Sequence, residues 1–150
     1  MKKFLFLVML FTMLFSVNAF GAVDTNALNN KMLSSINQLR ASLGRGPLVT
    51  DSSLITIANT RSQEAASKWS HTRPNGTQGA DMIPADKWRG ENLSYITGTE
   101  DVEQASKIMF DDLVASPTHY DNMVFDKFTK IGISSYVANG KITVAYMFSN

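Results

Sequence analysis

Two histidines, the only ones in 150 residues, are the side chains best suited to metal or acid–base chemistry. His119 lies in S-P-T-H-Y-D-N-M, where a helical pattern ends, and His71 lies in the turn-rich S-H-T-R-P-N-G. Glu91 lies between them in G-E-N-L, a polar segment typical of a turn. Two imidazoles with a carboxylate or water satisfy Zn²⁺, which accepts nitrogen and oxygen ligands. Because H-E-x-x-H is absent, we predict a zinc-capable cleft that the fold assembles from three separate segments.

Glu91 has two interpretations. In a turn, its carboxylate would cap nearby backbone amides, and sequence spacing alone favours this structural role. In a cleft, it would act as a general base or as the partner that orients a histidine. A lone histidine on a loop is also more often structural than functional, but two beside turn residues, with no others in the chain, favour a joint site.

A second acid is predicted on a helix over about residues 100–115, whose apolar side chains recur every three or four positions. Asp112 occupies the next position in that phase, so we expect it to face the core side, close to His119. The alternative is an exposed carboxylate at the helix edge. Asp111 is expected on the solvent face, paired with Lys107. The apolar stripe consists of Val102, Ala105, Met109 and Leu113.

Two further helices are predicted upstream. Helix 1 is expected over about residues 25–43 after the cap Asp24, and helix 2 is expected after the cap Asp51. The inward face of helix 2 is predicted to contain Leu54, Ala58, Ala65 and Trp69. Four large aromatic side chains flank the loops of the candidate site: Trp69, Trp88, Tyr95 and Tyr120. Core packing is their default role, and the walls of a ligand cleft are the alternative.

The end of the chain predicts a β-hairpin, because β-rich runs at 131–138 and 141–148 are joined by Asn-Gly at 139–140. Both runs carry apolar side chains at odd and even positions, which indicates that both faces of the sheet are covered. A further short strand is predicted over 93–96, after a long loop. The expected fold is therefore helices above and below a small antiparallel sheet.

The first residues predict a secretory signal peptide. Lys2 and Lys3 precede an uncharged apolar run over 4–17, and small residues follow. Cleavage is expected after Ala19, or as late as residue 22. The run is shorter than the ~20 apolar residues of a spanning helix, so no membrane anchor is expected after its removal. The mature chain is expected to be secreted, extracellular or periplasmic.

Composition narrows the remaining classes. A mature chain of ~130 residues suits a single domain, and the absence of cysteine excludes disulfides. The formal charge of +1 becomes −1 when Lys2 and Lys3 are removed, and the charges are well mixed. Nucleic acid is therefore not an expected partner. No predicted helix has an exposed apolar face, so a monomer is expected.

The order of motifs resembles the CAP superfamily, the group of cysteine-rich secretory proteins, antigen 5 and pathogenesis-related-1 proteins. The resemblance covers essentially the whole mature chain, and the lack of cysteine resembles bacterial members. It implies an α+β fold, a three-layer α-β-α sandwich forming a single SCP-like domain over 23–150. The motifs are I-N-Q-L-R at 36–40, P-L at 47–48, W-S-H at 69–71, G-E-N-L at 90–93, T-H-Y-D-N-M at 118–123 and K-I-G-I at 130–133.

The resemblance also implies a cleft with two histidines and two acids. His71, Glu91 and His119 match this pattern directly. The fourth residue, usually a glutamate in the helix before the last histidine, falls on Asp112, a shorter carboxylate, and the register would also admit Asp111.

Three functions are compatible with the resemblance. We favour an extracellular binding or interaction module with a divalent-metal cleft, in which Zn²⁺ is the expected cofactor. The alternatives are a zinc-dependent hydrolase of peptide or cell-envelope material, with Glu91 activating water, and a lipid- or sterol-binding protein. The expected partner is an extracellular ligand of unknown identity, such as a lipid or a cell-envelope component.

Overall fold

Helices precede and separate the strands along residues 23–150, the part of the chain that the computed structural model describes, and the last two strands are consecutive. The predicted signal peptide lies outside the described residues. The helices are α1 (Thr25–Ser42), α2 (Ser52–Ser67), α3 (Val102–Ala115) and α4 (Pro117–Val124), with a short 3-10 helix at Gly79–Met82. The strands are β1 (Val49–Thr50), β2 (Arg89–Thr97), β3 (Lys130–Ala138) and β4 (Lys141–Ser149).

The strands form one sheet in the order β1-β3-β4-β2. Strands β3 and β4 form the predicted hairpin, whose turn residues Asn139 and Gly140 have φ angles of 52° and 69°, as a type I′ turn requires. Strand β2 pairs antiparallel with β4 along its whole length, and only the two-residue β1 pairs in parallel. As a result β2, the strand that carries Glu91, is an edge strand.

Helices cover both faces of this sheet, which confirms the predicted three-layer sandwich. Helix α2 lies on one face, where Leu54 and Ala58 pack with Leu93 and Met147. Helices α1, α3 and α4 lie on the other face over a larger core that includes Tyr146. Neighbouring residues of β4 serve opposite layers because successive strand side chains point to opposite faces. None of the helices described here has the length and hydropathy of a membrane-spanning segment.

Arg40, the last residue of the I-N-Q-L-R motif, fixes the chain that follows α4. Its guanidinium is buried and donates to the carbonyls of Met123 at 2.9 Å, Phe125 at 3.0 Å and Phe128 at 3.0 Å. These bonds satisfy the carbonyl groups at the helix end, which have no partner within the helix. Arg40 therefore helps to place α4, which carries His119.

Two local predictions were wrong. Gly90 to Leu93 lie within β2 instead of a polar turn, since pairing with β4 outweighs the low strand propensity of Gly90 and Asn92. Helix α2 ends at Ser67, so Trp69 lies beyond its inward face and is 47% exposed.

Candidate functional site

The candidate site is built around two consecutive residues of β2, Glu91 and Asn92, whose side chains point to opposite faces of the sheet. On the α2 side, Nδ1 of His71 donates to Oε1 of Glu91 at 2.8 Å. On the α4 side, Nδ2 of Asn92 donates to the carbonyl of His119 at 2.8 Å. The two imidazole rings approach each other around the strand edge, with 6.2 Å between their centroids. The fold therefore brings together all three segments singled out in the sequence.

Glu91 is held by a buried arginine. Nε of Arg61 donates to Oε2 of Glu91 at 2.6 Å and Nη2 donates to Oε1 at 3.2 Å, a two-pronged arrangement. The side chains of Arg61 and Glu91 are only 1% and 3% exposed. With His71 as a further donor, both carboxylate oxygens are occupied. Glu91 is thus arranged as a hydrogen-bond acceptor that orients His71.

Arg61 also connects the helix to the loop that carries His71. Its Nη2 donates to the carbonyl of Ser70 at 2.8 Å, and its Nη1 donates to Glu64 at 2.5 Å. Glu64 in turn accepts from Nη2 of Arg73 at 2.9 Å. Hydrogen bonds from Arg73 and then Arg61 lower the pKa of Glu64 below its ordinary value. The network consequently restrains His71 through its neighbour as well as through Glu91.

Gly79 lies directly against the ion pair of Arg61 and Glu91. A Cβ atom at this position would lie 2.0 Å from Oε2 of Glu91 and 2.4 Å from Nε of Arg61. The backbone can approach the ion pair this closely only because glycine has no side chain. Gly79 therefore contributes to the exclusion of solvent from the carboxylate.

His119 has a different environment from His71. Burial lowers the pKa of the His119 imidazole, and the nearby His71 lowers it further, so its neutral form is favoured. Asn122 supports the same segment, since its Nδ2 donates to Oδ1 of Asn92 at 2.8 Å and to the carbonyl of Glu91 at 3.3 Å. The backbone of His119 is therefore held in place, and its ring borders an open groove.

Of the two positions considered for Asp112, the structure shows the exposed carboxylate at the helix edge and not the one that faces the core. It is exposed on the rim of that groove, and the buried position of the last turn of α3 is Leu113. The helix advances 3.6 residues per turn, and after Met109 the buried stripe takes a step of four rather than three. Within the described chain, no hydrogen bond joins Asp112 to His119. The prediction for Asp111 is confirmed, since it accepts from Nζ of Lys107 at 2.6 Å.

Two residues of the site, Arg61 and Asn92, were not predicted from the sequence. Arg61 lies in the inward stripe of α2 between Ala58 and Ala65. A charged side chain at a core position needs a buried partner, and this was the available signal. Asn92 gave no such signal, because its role depends on which strand edge α4 covers.

The donor set fits two positions of a zinc site. The two imidazole rings are tilted by 43° to each other. The Glu91 bond to Nδ1 of His71 leaves Nε2 of that ring free to ligate, an arrangement common for zinc-binding histidines. Glu91 is already committed to Arg61. Across residues 23–150, no three or more His, Cys, Asp or Glu side chains are grouped to hold a metal ion. Water or a ligand would therefore have to complete the coordination.

Known proteins share this fold. The family profile described as "CAP: Cysteine-rich secretory protein family" matches residues 33–148. An outer surface protein of Borrelia burgdorferi is similar over 87% of this chain and 97% of its own, with 18% identity and a TM-score of 0.72. An extracellular protein containing an SCP domain from Bacillus anthracis is similar over 81% of this chain and 40% of its own, with 18% identity and a TM-score of 0.64.

A third solved structure, determined with Zn²⁺, is similar over 85% of this chain and 83% of its own. Its identity is 18% and its TM-score is 0.58. At such identities these likenesses show the fold alone. No curated protein matches the sequence significantly.

Proposed function

Because the chain belongs to the CAP family of cysteine-rich secretory proteins, we propose that it is an exported binding domain whose His71–His119 cleft binds a divalent metal ion. The observation that carries this proposal is the bond network of Glu91. A carboxylate that accepts from both Arg61 and His71 orients an imidazole well, but it is poorly placed to take a proton from water. Binding is therefore better supported than hydrolysis.

Zn²⁺ is the metal that the donors suit best. Imidazole nitrogen is a preferred zinc ligand, and a carboxylate on the far side of a ligating histidine strengthens it. A similar fold has been solved with Zn²⁺, which supports the choice of metal. With two protein ligands, His71 and His119, the remaining positions would be open to water or to a group on the extracellular partner.

Zinc titration of the metal-free mature chain tests this proposal. We expect one zinc equivalent to bind by calorimetry, and the double variant His71→Ala, His119→Ala to bind at least tenfold more weakly. Because the chain has no cysteine and no other histidine, background binding should be low. Asp111→Asn serves as a matched control for surface carboxylates and should retain wild-type affinity. Equal affinity of the double variant and the wild type would refute the metal site.

Export of the chain is part of the same proposal. The similar outer surface and extracellular proteins support a location outside the cytoplasm. The sequence predicts a signal peptide over residues 1–19, or as far as residue 22. Mass spectrometry of the chain recovered from the periplasm or medium should show a mature form beginning between residues 20 and 23. A form that retains Lys2 and Lys3 there would contradict cleavage.

A further inference from the structure

The outer edge of β2 beyond the histidines offers unpaired backbone groups. Ala138 and Lys141 flank the two-residue turn and form a hydrogen-bonded pair. Lys141 and every second residue after it therefore direct their backbone N–H and C=O groups toward β3. Alternate residues of β4, from Ile142 to Phe148, then direct their backbone groups toward β2. By the pairing register, their partners are Gly90, Asn92, Ser94 and Ile96. The residues between these partners direct their N–H and C=O groups away from the sheet.

Helix α4 occupies one end of this edge and leaves the other end open. The carbonyl of Glu91 accepts from Nδ2 of Asn122 at 3.3 Å, which agrees with its predicted direction away from the sheet. Further along, the outward groups belong to Leu93, which is buried, and to Tyr95 and Thr97, which are exposed. No hydrogen bond found in residues 23–150 reaches these groups from outside the sheet. An edge with free donors and acceptors can pair with another extended chain.

An open groove of about 450 Å³ runs along this edge. One wall consists of five consecutive residues of β2, from Leu93 to Thr97. Because consecutive strand residues point to opposite faces, a groove that touches all five follows the backbone edge. The opposite wall comes from α3 and the start of α4, and it includes Ile108, Asp112 and Leu113.

We propose that the β2 edge from Tyr95 to Thr97 binds an extended peptide segment of a partner protein by β-strand addition. Main-chain hydrogen bonds would supply the affinity, and the groove walls would select side chains. Ile108, which is 40% exposed, favours an apolar side chain. Asp112 is exposed on the same wall and has no ion pair in the described chain, so it favours a basic residue.

Two aromatic side chains on the rim of the groove, Trp69 and Tyr95, support the binding of an extended peptide. Trp69 and Tyr95 form an edge-to-face pair with ring centroids 4.8 Å apart, and they are 47% and 50% exposed. Nζ of Lys141 lies 5.0 Å from the Tyr95 ring, which helps to hold that ring in place. A preordered aromatic rim beside a free strand edge offers a large contact area at low entropic cost.

This inference deepens the proposed binding function by naming its partner class, but it requires no metal. Its test uses the mature chain in EDTA and the peptide TVKVT-amide, which carries fluorescein on its N-terminal amine so that the lysine keeps its charge. Binding is followed by fluorescence anisotropy. We expect saturable binding. The peptide with glutamate in place of lysine should bind about threefold to tenfold more weakly, because it meets Asp112. Two further peptides are N-methylated at alternate amides, one at the first, third and fifth residues and the other at the second and fourth. The one whose methyl groups face β2 should lose binding at least tenfold.

A pair of protein variants isolates the backbone contribution. Tyr95→Pro removes one outward N–H without removing a bond to β4, and Tyr95→Ala removes only the side chain. Tyr95→Pro should bind at least tenfold more weakly than Tyr95→Ala. If Tyr95→Pro does not fold, the N-methylated peptides decide instead.

Three outcomes would overturn the inference: no saturable binding of the lysine peptide, equal binding of the unmodified peptide and both methylated peptides, or concentration-dependent dimerisation in ultracentrifugation that Tyr95→Pro abolishes. The last would assign the edge to a second copy of the chain. Because EDTA is present throughout, failure here leaves the zinc titration unaffected, and failure of the zinc site leaves this test unaffected.

Discussion

Replacing Arg61 with methionine is expected to lower the free energy of unfolding by about 3–5 kcal/mol at pH 7. Methionine fills the space of the arginine stem as far as Nε, so the principal change is loss of the guanidinium group and its charge. Glu91 would remain buried as an anion, with His71 as its one remaining side-chain donor. Glu64 would keep its bonds to Arg73. The dominant cost is therefore the uncompensated carboxylate of Glu91.

Urea denaturation followed by tryptophan fluorescence measures this change, and a double-mutant cycle assigns it. Arg61→Met combined with Glu91→Gln removes both charges, so the double variant should be more stable than Arg61→Met alone. Lys107→Met is the matched surface control, because its partner Asp111 is exposed; it should change stability by less than about 1 kcal/mol. If Arg61→Met and Lys107→Met had equal effects, the ion pair with Glu91 would not be a stabilising element.

The fold was predictable because its main signals are local. Asp24 and Asp51 cap α1 and α2 as expected, and each side chain accepts from the backbone of the following helix. The Asn139-Gly140 turn sets the hairpin, and apolar residues on both faces of β4 predicted two covering layers. These features depend on residues close together in the chain, where backbone preferences and periodicity are informative.

The site was predictable only in part because it depends on contacts between distant segments. The order of motifs identified His71, Glu91 and His119, but it did not reveal that Glu91 lies in a strand. Its pairing with Met147 of β4 is a long-range contact that low local propensity conceals. Arg61 was missed because its partner Glu91 is 30 positions away in the sequence.

The same geometry explains why Asp112 does not substitute for the acid expected at that position. A rotation of one residue around α3 exchanges a buried position for an exposed one, and Leu113 takes the buried position. Asp112 is left on the groove wall beside the β2 edge. The acid is thus better placed to select a ligand than to orient His119.

Replacing Gly132 with alanine is expected to lower the free energy of unfolding by about 3 kcal/mol. Gly132 lies in β3 under helix α2, and a Cβ atom there would lie 2.1 Å from the carbonyl carbon of Leu54 and 2.3 Å from the nitrogen of Ile55. These are backbone atoms of a helix, which cannot rotate aside as a side chain can. Helix α2 would have to move away from the sheet.

That movement reaches the site, because α2 carries Arg61. We expect Gly132→Ala to weaken zinc binding as well as stability, since displacement of Arg61 disturbs Glu91 and the ring of His71. Gly46→Ala is the matched control: no atom lies within 4 Å of its added methyl group, and its stability should stay within about 0.5 kcal/mol of wild type. Urea denaturation and zinc calorimetry of the two variants make the comparison. Wild-type stability in Gly132→Ala would mean that α2 does not lie against β3 as closely as described. It would also contradict the claim that the position of α2 holds Arg61, and through it Glu91 and His71, in place.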